Sequence, residues 1–475
     1  MTEAISKQSS IFSNQKPIIF IIGLAAATSG LLFGIDVGII SNAIPFIVKD
    51  FNIGIGTEQS IVSALLWGAA IGAVISGALA KKIGRKQTLE SAALIFILGS
   101  MCSSIATSAG ILIGARVFLG LGVGLASFTA PLYLSEMAPK EVRGALISMY
   151  QLLITIGIVL AFLSDTYFGT YAKIHGIVGG HWRLMLGIPI IPAGLMYIAV
   201  YFLPNSPRWL MLKNRKEEAK QVLNKLRKTE AEVTSEIKGI EKDLAFKQSG
   251  FALFFGNKYF RHAVFLGIGL QIIQQLTGIN VIMYYAPEIF KIAGFTTQAQ
   301  TSWGTVIVGV TNVLATFIAI GLVDKWGRKP IMYRGFIVMG ISMLTVGLMF
   351  RLGVHSHHAF SFIAIAGILT FIIGFAFSAG PIIWVLCSEI YPLHGRDFGI
   401  TVSTTTNWVV NGIVGATFLT LLKVIGPANT FFIYGGIEVL FIIIFVLFVP
   451  ETKGVSLETI ASNLLAGKKL RNIGS

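Results

Sequence analysis

The chain has 475 residues, 54% of them hydrophobic and 12% charged, with a net charge of +15 and a mean hydropathy of +0.77. Soluble domains carry about 25% charged residues, so this composition excludes a soluble enzyme or regulator and points to a polytopic membrane protein. The excess positive charge needs no nucleic-acid partner, because its placement along the chain explains it.

Met1 to Gln15 is polar, and the apolar run behind it is too long for the core of a cleavable signal. A helix needs about 20 apolar residues to cross a bilayer. Twelve stretches qualify: 17–40, 59–80, 88–109, 111–133, 144–168, 184–203, 260–290, 301–322, 331–351, 360–386, 398–422 and 429–449. Lys81, Lys82, Arg85 and Lys86 follow the second span, and Lys140 and Arg143 the fourth. Lys325, Arg328, Lys329 and Arg334 follow the eighth; Lys468, Lys469 and Arg471 lie in the tail. Twelve spans put all of these on one face, so the positive-inside rule places both termini in the cytoplasm. Cys102 and Cys387 fall within spans and read as packing residues without metal-ligand spacing. His355, His357 and His358 read as a solvated loop, so no metal site is expected.

Residues 209–258 alternate charged and aliphatic side chains at helical spacing, which predicts short amphipathic helices joining two six-span halves. The expected units are 1–203, a linker 204–258, 259–449 and a tail 450–475. The halves echo each other. Gly84-Arg85-Lys86 matches Gly327-Arg328-Lys329, and Glu136 with Arg143 matches Glu389 with Arg396 at the same interval. Pro204-Asn205-Ser206-Pro207-Arg208 matches Pro450-Glu451-Thr452-Lys453-Gly454. Such a duplication, with a site between the halves near the midplane, is a transporter architecture. Arg85 and Arg328 are positioned to pair with Glu136 and Glu389. That set reads as a gate on the cytoplasmic side, against the plainer reading of surface salt bridges worth about 0–1 kcal/mol.

Polar residues inside spans carry the functional signal. Asp36 lies in span 1 and Arg116 in span 4; a central charge costs roughly 2.5–3.5 kcal/mol and needs a partner or a water path. The two form either a static structural pair or a titrating carboxylate tuned by an arginine. Glu438 in span 12 has no obvious partner. In span 7, Gln271, Gln274 and Gln275 share one helix face, and Thr277-Gly278 loosens the helix before Asn280. Gln151, Asn312, Asn407, Asn411, Trp384 and Trp408 fall at similar depth. Each alone reads as an interhelical hydrogen bond or a packed aromatic. Together, amides that donate and accept beside indoles that stack suit a ligand made of hydroxyls. No nucleotide loop, nucleophile elbow or paired catalytic carboxylates are present, so neither an enzyme nor an ATP-driven pump is indicated.

On these motifs the chain resembles the sugar porter family of the major facilitator superfamily over essentially its whole length. The carrying segments are Gly77 to Lys86, Gly321 to Lys329, Pro204 to Arg208, Gln274 to Asn280 and Pro450 to Gly454. Met149 to Leu152, Gly395 to Thr401 and Thr406 to Trp408 are most similar to the branch of bacterial galactose–proton symporters. The resemblance implies an all-α fold of two six-helix bundles in a bacterial inner membrane. It implies sugar contacts at Gln151, Gln274, Gln275, Asn280, Trp384, Asn407 and Trp408, with Phe33, Asn312 and Gly380 lining the same cavity. Tyr284 and Tyr285 match an extracellular gate; Arg85, Glu136, Arg143, Arg328, Glu389 and Arg396 match a cytoplasmic one. Asp36 and Arg116 match a proton-coupling pair whose carboxylate the facilitative members lack. Asn407 and Ile158 stand where xylose carriers have glutamines, which points towards a hexose. Lys81 and Asn205 stand where many members have acids, which weakens one predicted lock. The expected activity is proton-coupled hexose symport of galactose or glucose by a monomer with no cofactor; a facilitative uniporter is the alternative.

Overall fold

A computed structural model describes residues 16–139, 142–174, 181–245, 250–354, 357–392, 394–455 and 457–474. Lys140, His355 and the side chains of Arg143 and 319–325 lie outside the described residues. Every described element is a helix. The first half runs through α1 (Pro17–Phe51), α2 (Ile55–Lys82), α3 (Arg85–Ser104), α4 (Ala109–Met137), α5 (Arg143–Ile174), α6 (His181–Gly187) and α7 (Ile190–Tyr201). Four short helices follow: α8 (Pro207–Leu212), α9 (Lys216–Leu226), α10 (Glu230–Ala245) and α11 (Gly250–Gly256). Then come α12 (Lys258–Leu276), α13 (Ile279–Tyr284), α14 (Ala286–Ile292), α15 (Gln298–Trp326), α16 (Arg328–Leu352), α17 (His358–Phe377), α18 (Ala379–Glu389), α19 (Arg396–Phe448) and α20 (Leu457–Leu465).

Ten helical runs are long and apolar enough to cross a membrane. Helix α3, too polar over its first turns to count among them, supplies an eleventh pass. Helix α19 supplies two: its 53 residues would be about 80 Å long, and it breaks where Gly426 takes a left-handed φ of 81° before Pro427. Twelve passes result. Three are composite: α6–α7 is interrupted at Ile188–Pro189, α12–α14 at Gly278 and Tyr285, and α17–α18 at Ser378. Large apolar side chains such as Ile71, Val74, Ile191, Leu195, Ile341 and Phe362 point outward and are exposed, as a lipid-covered surface requires.

Close helix contact sets the core of the first half. Between α1 and α5, a Cβ on Gly34 would collide with the carbonyl oxygen of Ile154. Between α2 and α4, a Cβ on Gly68 would collide with that of Val117. Backbones this close leave room only for glycine, and they fix the helices that carry Asp36 and Arg116.

The short helices gather at one end of the bundle, here the linker end. Trp209, Leu210, Met211, Leu223, Val233 and Ile237 of α8–α10 form a small core of their own. It is tied to the membrane helices by Trp209 Nε1 donating to the Lys81 carbonyl (3.2 Å) and Arg227 donating to that of Met137 (3.0 Å). Helix α20 buries Ile460 and Leu464 at the same end.

Candidate functional site: an amide cavity and a buried ion pair

The span 7 stretch folds as two helices because Gly278 takes φ 89° and starts α13 in the left-handed region. A Cβ there would lie 2.8 Å from the ring of Tyr434, so both backbone and neighbour demand glycine. Just before the break, Thr277 Oγ1 donates to the Gln274 carbonyl (2.7 Å).

The amides divide into two sets. In the first, Asn407 Nδ2 donates to Gln271 Oε1 (2.6 Å) and Gln274 Oε1 (2.7 Å). Gln274 Nε2 donates to the carbonyls of Ala379 (2.9 Å) and Gly380 (3.1 Å), at the start of α18 where the span is interrupted. Gln271 Nε2 reaches Cys387 Sγ at 3.6 Å. These groups largely satisfy one another, as buried amides must. The second set keeps spare capacity. Asn280 Nδ2 donates to Gln275 Oε1 (2.6 Å), which leaves Gln275 Nε2 and Asn280 Oδ1 without a hydrogen bond among the described residues. Half-buried Gln151 on α5 and buried Asn312 on α15 also make no side-chain hydrogen bond among the described residues.

Two indoles belong to the same expected set. Trp408 is buried and packs edge-on against Phe33 of α1, ring centroids 5.1 Å apart; its Nε1 has no hydrogen-bond partner among the described residues. Trp384 is 37% exposed on α18, just beyond Gly380-Pro381. Unspent amide groups beside flat aromatic faces can grip a polyhydroxylated ring from its edge and its face.

Asp36 and Arg116 are each 2% exposed, and their charged groups are 3.7 Å apart. The pair is loose. Arg116 Nε is committed to the Ile61 carbonyl (2.8 Å), and Asp36 Oδ2 has no hydrogen bond among the described residues. An oxygen so placed faces a cation without being locked to it and can accept a proton. Tyr284 lies within the electrostatic reach of both, and its hydroxyl meets Asn411 at 3.2–3.3 Å.

A profile of the family described as "Sugar (and other) transporter" matches residues 22–464. The chain belongs to that sugar transporter family. It is 56% identical over 462 residues to the galactose-proton symporter of Escherichia coli K12, covering 97% of this chain and 98% of that one. It is 52% identical over 456 residues to the arabinose-proton symporter of the same strain, covering 95% of each. Among solved structures, the inward open conformation of the xylose transporter XylE from E. coli superposes with a TM-score of 0.80 at 32% identity, covering 94% of this chain and 100% of that one. The major facilitator proton:xylose symporter XylE bound to 6-bromo-6-deoxy-D-glucose gives 0.79 at 30%, covering 96% and 98%. The fold is therefore that of the major facilitator transporters, and the chain is not an enzyme.

In this sugar transporter Tyr284 and Tyr285 are both buried, 2% and 1% exposed. Tyr285 donates to the Gly415 carbonyl (2.9 Å) and stacks on Phe418. Both of those contacts lie within the second half; the halves touch through Asn42 Nδ2 to Thr305 Oγ1 (3.4 Å) and Thr420 Oγ1 to Gln59 Oε1 (2.9 Å). The end away from the linker is closed. At the linker end Arg85 pairs with Glu136 and Arg328 with Glu389, both at 2.8 Å. Each pair joins two helices of one half, α3 with α4 and α16 with α18, and neither crosses between halves. Arg396 donates to the Tyr391 carbonyl (3.4 Å). The same carboxylates also hold two hydroxyls that sequence reasoning passed over: Ser206 binds Glu136, and Thr452 Oγ1 donates to Glu389 (2.6 Å). The signal was present, since each hydroxyl stands two residues after the proline that ends its half.

Proposed function

We propose that the protein carries a hexose, galactose or glucose, together with a proton into the cell by alternating access. The observation that carries this reading is a loose buried carboxylate–arginine pair in a chain whose spans also hold amides with unspent hydrogen-bonding groups. Gln275, Asn280, Gln151 and Asn312 contact the sugar hydroxyls first. Gln274 and Asn407 join by giving up an internal hydrogen bond, and Trp384 and Trp408 cover its faces above Phe33 and Gly380. The linker end faces the cytoplasm, as its basic loops favour. Asp36 takes a proton from outside. The segment from Gly278 to Tyr285 closes over the sugar, and the bundles 1–203 and 259–449 rock to release both ligands inward. The Arg–Glu clusters, with Arg143 and Arg396, hold the cytoplasmic helix ends while that side is shut.

A membrane potential supplies about 2.3 kcal/mol per charge per 100 mV. At about 1.4 kcal/mol per tenfold, one proton sustains a sugar gradient of roughly 50-fold. The hexose reading is supported by the identity to the galactose carrier, and the near-equal identity to the arabinose carrier makes a pentose the competitor to test. Purified protein in proteoliposomes should accumulate labelled galactose or glucose when an inward proton gradient is imposed, and sugar addition should alkalinise the outer medium. Equilibration without accumulation would mark a uniporter. Accumulation of arabinose in preference to either hexose would overturn the substrate assignment.

A further inference from the structure

Asp165 belongs to no motif above. It lies in α5 towards the closed end, 2% exposed, and neither carboxylate oxygen has a well-formed hydrogen bond. The polar group that faces it is the side-chain amide of Asn42 on α1. That amide reaches across to Thr305 Oγ1 of α15, which is one of the contacts that close this end. Helices α5 and α15 meet on both sides of Asp165. A Cβ on Gly309 would lie 3.0 Å from the Phe162 ring, and one on Gly169 would lie 3.2 Å from Gln298 Nε2. Asp165 therefore sits on the seam that must part when this end opens.

Among the described side chains no cation is paired with it. Helix α15 has no titratable side chain between Gln298 and Ile318. On α1, Asp36 faces Arg116 of α4, and Asp50 pairs with Arg183 of α6; Lys49 lies beside Asp50 at the helix end. His181 of α6 packs against Phe46. On α5 itself, Tyr150 lies four turns away, Tyr167 faces outward, and the side chains of Tyr171 and Lys173, two turns on towards the helix end, lie outside the described residues. A carboxylate in a dry seam without a cation is costly, whereas the neutral acid is not.

We propose that Asp165 is a second proton-binding site, a latch whose protonation favours closure of the outer end. This rests on the alternating-access reading above. With the end open, water reaches the seam and the carboxylate ionises. Protonation from outside neutralises it, and Asn42 can then bridge to Thr305. On reopening, the proton returns to the same side, so it is not carried across and the coupling ratio is unchanged.

The test places spin labels across the seam at exposed positions, Thr170→Cys and Ala299→Cys, with Cys102→Ala, Cys387→Ala and Asp36→Asn to remove the native thiols and the first proton site. The open-to-closed ratio from pulsed dipolar distances should rise with pH, by up to about tenfold per unit for one linked proton. Asp165→Asn should stay closed at every pH, and Asp165→Glu should keep a pH response with a shifted midpoint. A pH response unchanged in Asp165→Asn, or lost in a folded Asp165→Glu, overturns the latch. So does a ratio that moves with sodium at constant pH. Failure of proton-driven uptake by the parent protein would instead overturn the symport reading, which these distances do not measure.

Discussion

At the residue scale, the amides do different work although they look alike in the sequence. The spacing of Gln271, Gln274 and Gln275 already placed them on one helix face. It could not tell which would be satisfied internally, because that depends on Asn407 from α19 and on the carbonyls at the start of α18. Gln275 is the one with an amide nitrogen to spare. Removing it should cost one to two hydrogen bonds' worth of affinity, about 1–2 kcal/mol, or roughly tenfold in sugar Kd. Calorimetry on Gln275→Ala checks this, and an unchanged Kd would remove Gln275 from the site. Gln271→Ala should instead act on stability, because Gln271 is fully buried and spends its oxygen on Asn407.

Among the elements, the interrupted passes matter most. Thr277-Gly278 was legible as a loosening, and the left-handed Gly278 shows why: the pass stops being one rod there. Gly278→Ala forces a side chain into that conformation and against Tyr434, and should destabilise the protein by about 1–3 kcal/mol. A thermal-shift melt checks this; a wild-type melting temperature would show that the break tolerates a side chain. Other element edges were hidden from the sequence. Helix α1 runs on to Phe51 through Ser41, Asn42, Lys49 and Asp50, because polar residues at a helix end can face a protein seam or water instead of lipid. The break between the last two passes, by contrast, was legible: Gly426-Pro427 falls in the gap that the sequence reading leaves between 398–422 and 429–449.

Glu451 ties the end of α19 to the start of α16. It accepts backbone N–H groups from Arg328 (3.1 Å), Lys329 (2.9 Å), Thr452 (3.0 Å) and Lys453 (2.9 Å). Partial burial pushes its carboxyl up, but the four N–H groups outweigh this and hold it below the ordinary carboxylate value. A depressed carboxyl contributes stability above its unfolded value, and that stability is lost as pH falls through the folded one. The melting temperature should therefore drop on acidification below about pH 4, and less steeply in Glu451→Gln. Equal slopes would show that this anchor contributes nothing.

For the whole molecule, the twelve-pass plan and the duplication were legible because apolar length and repeated basic motifs are local signals. The relation between the halves was not. Both Arg–Glu pairs form, but within halves, so the clusters brace each half's linker end while Asn42 with Thr305 and Gln59 with Thr420 join the halves at the opposite end. Ser206 and Thr452 are parts of those braces that only the folded chain brings to the carboxylates. Asp36 pairs with Arg116 and lies within electrostatic reach of Tyr284, the residue proposed to close over the sugar. That placement is the basis for assigning it the coupling of proton to sugar. The most direct test is Asp36→Asn in proteoliposomes, with proton-driven accumulation and exchange between equal sugar pools measured on the same preparation. The account predicts that accumulation is abolished while exchange persists. Uphill accumulation retained in Asp36→Asn would contradict it.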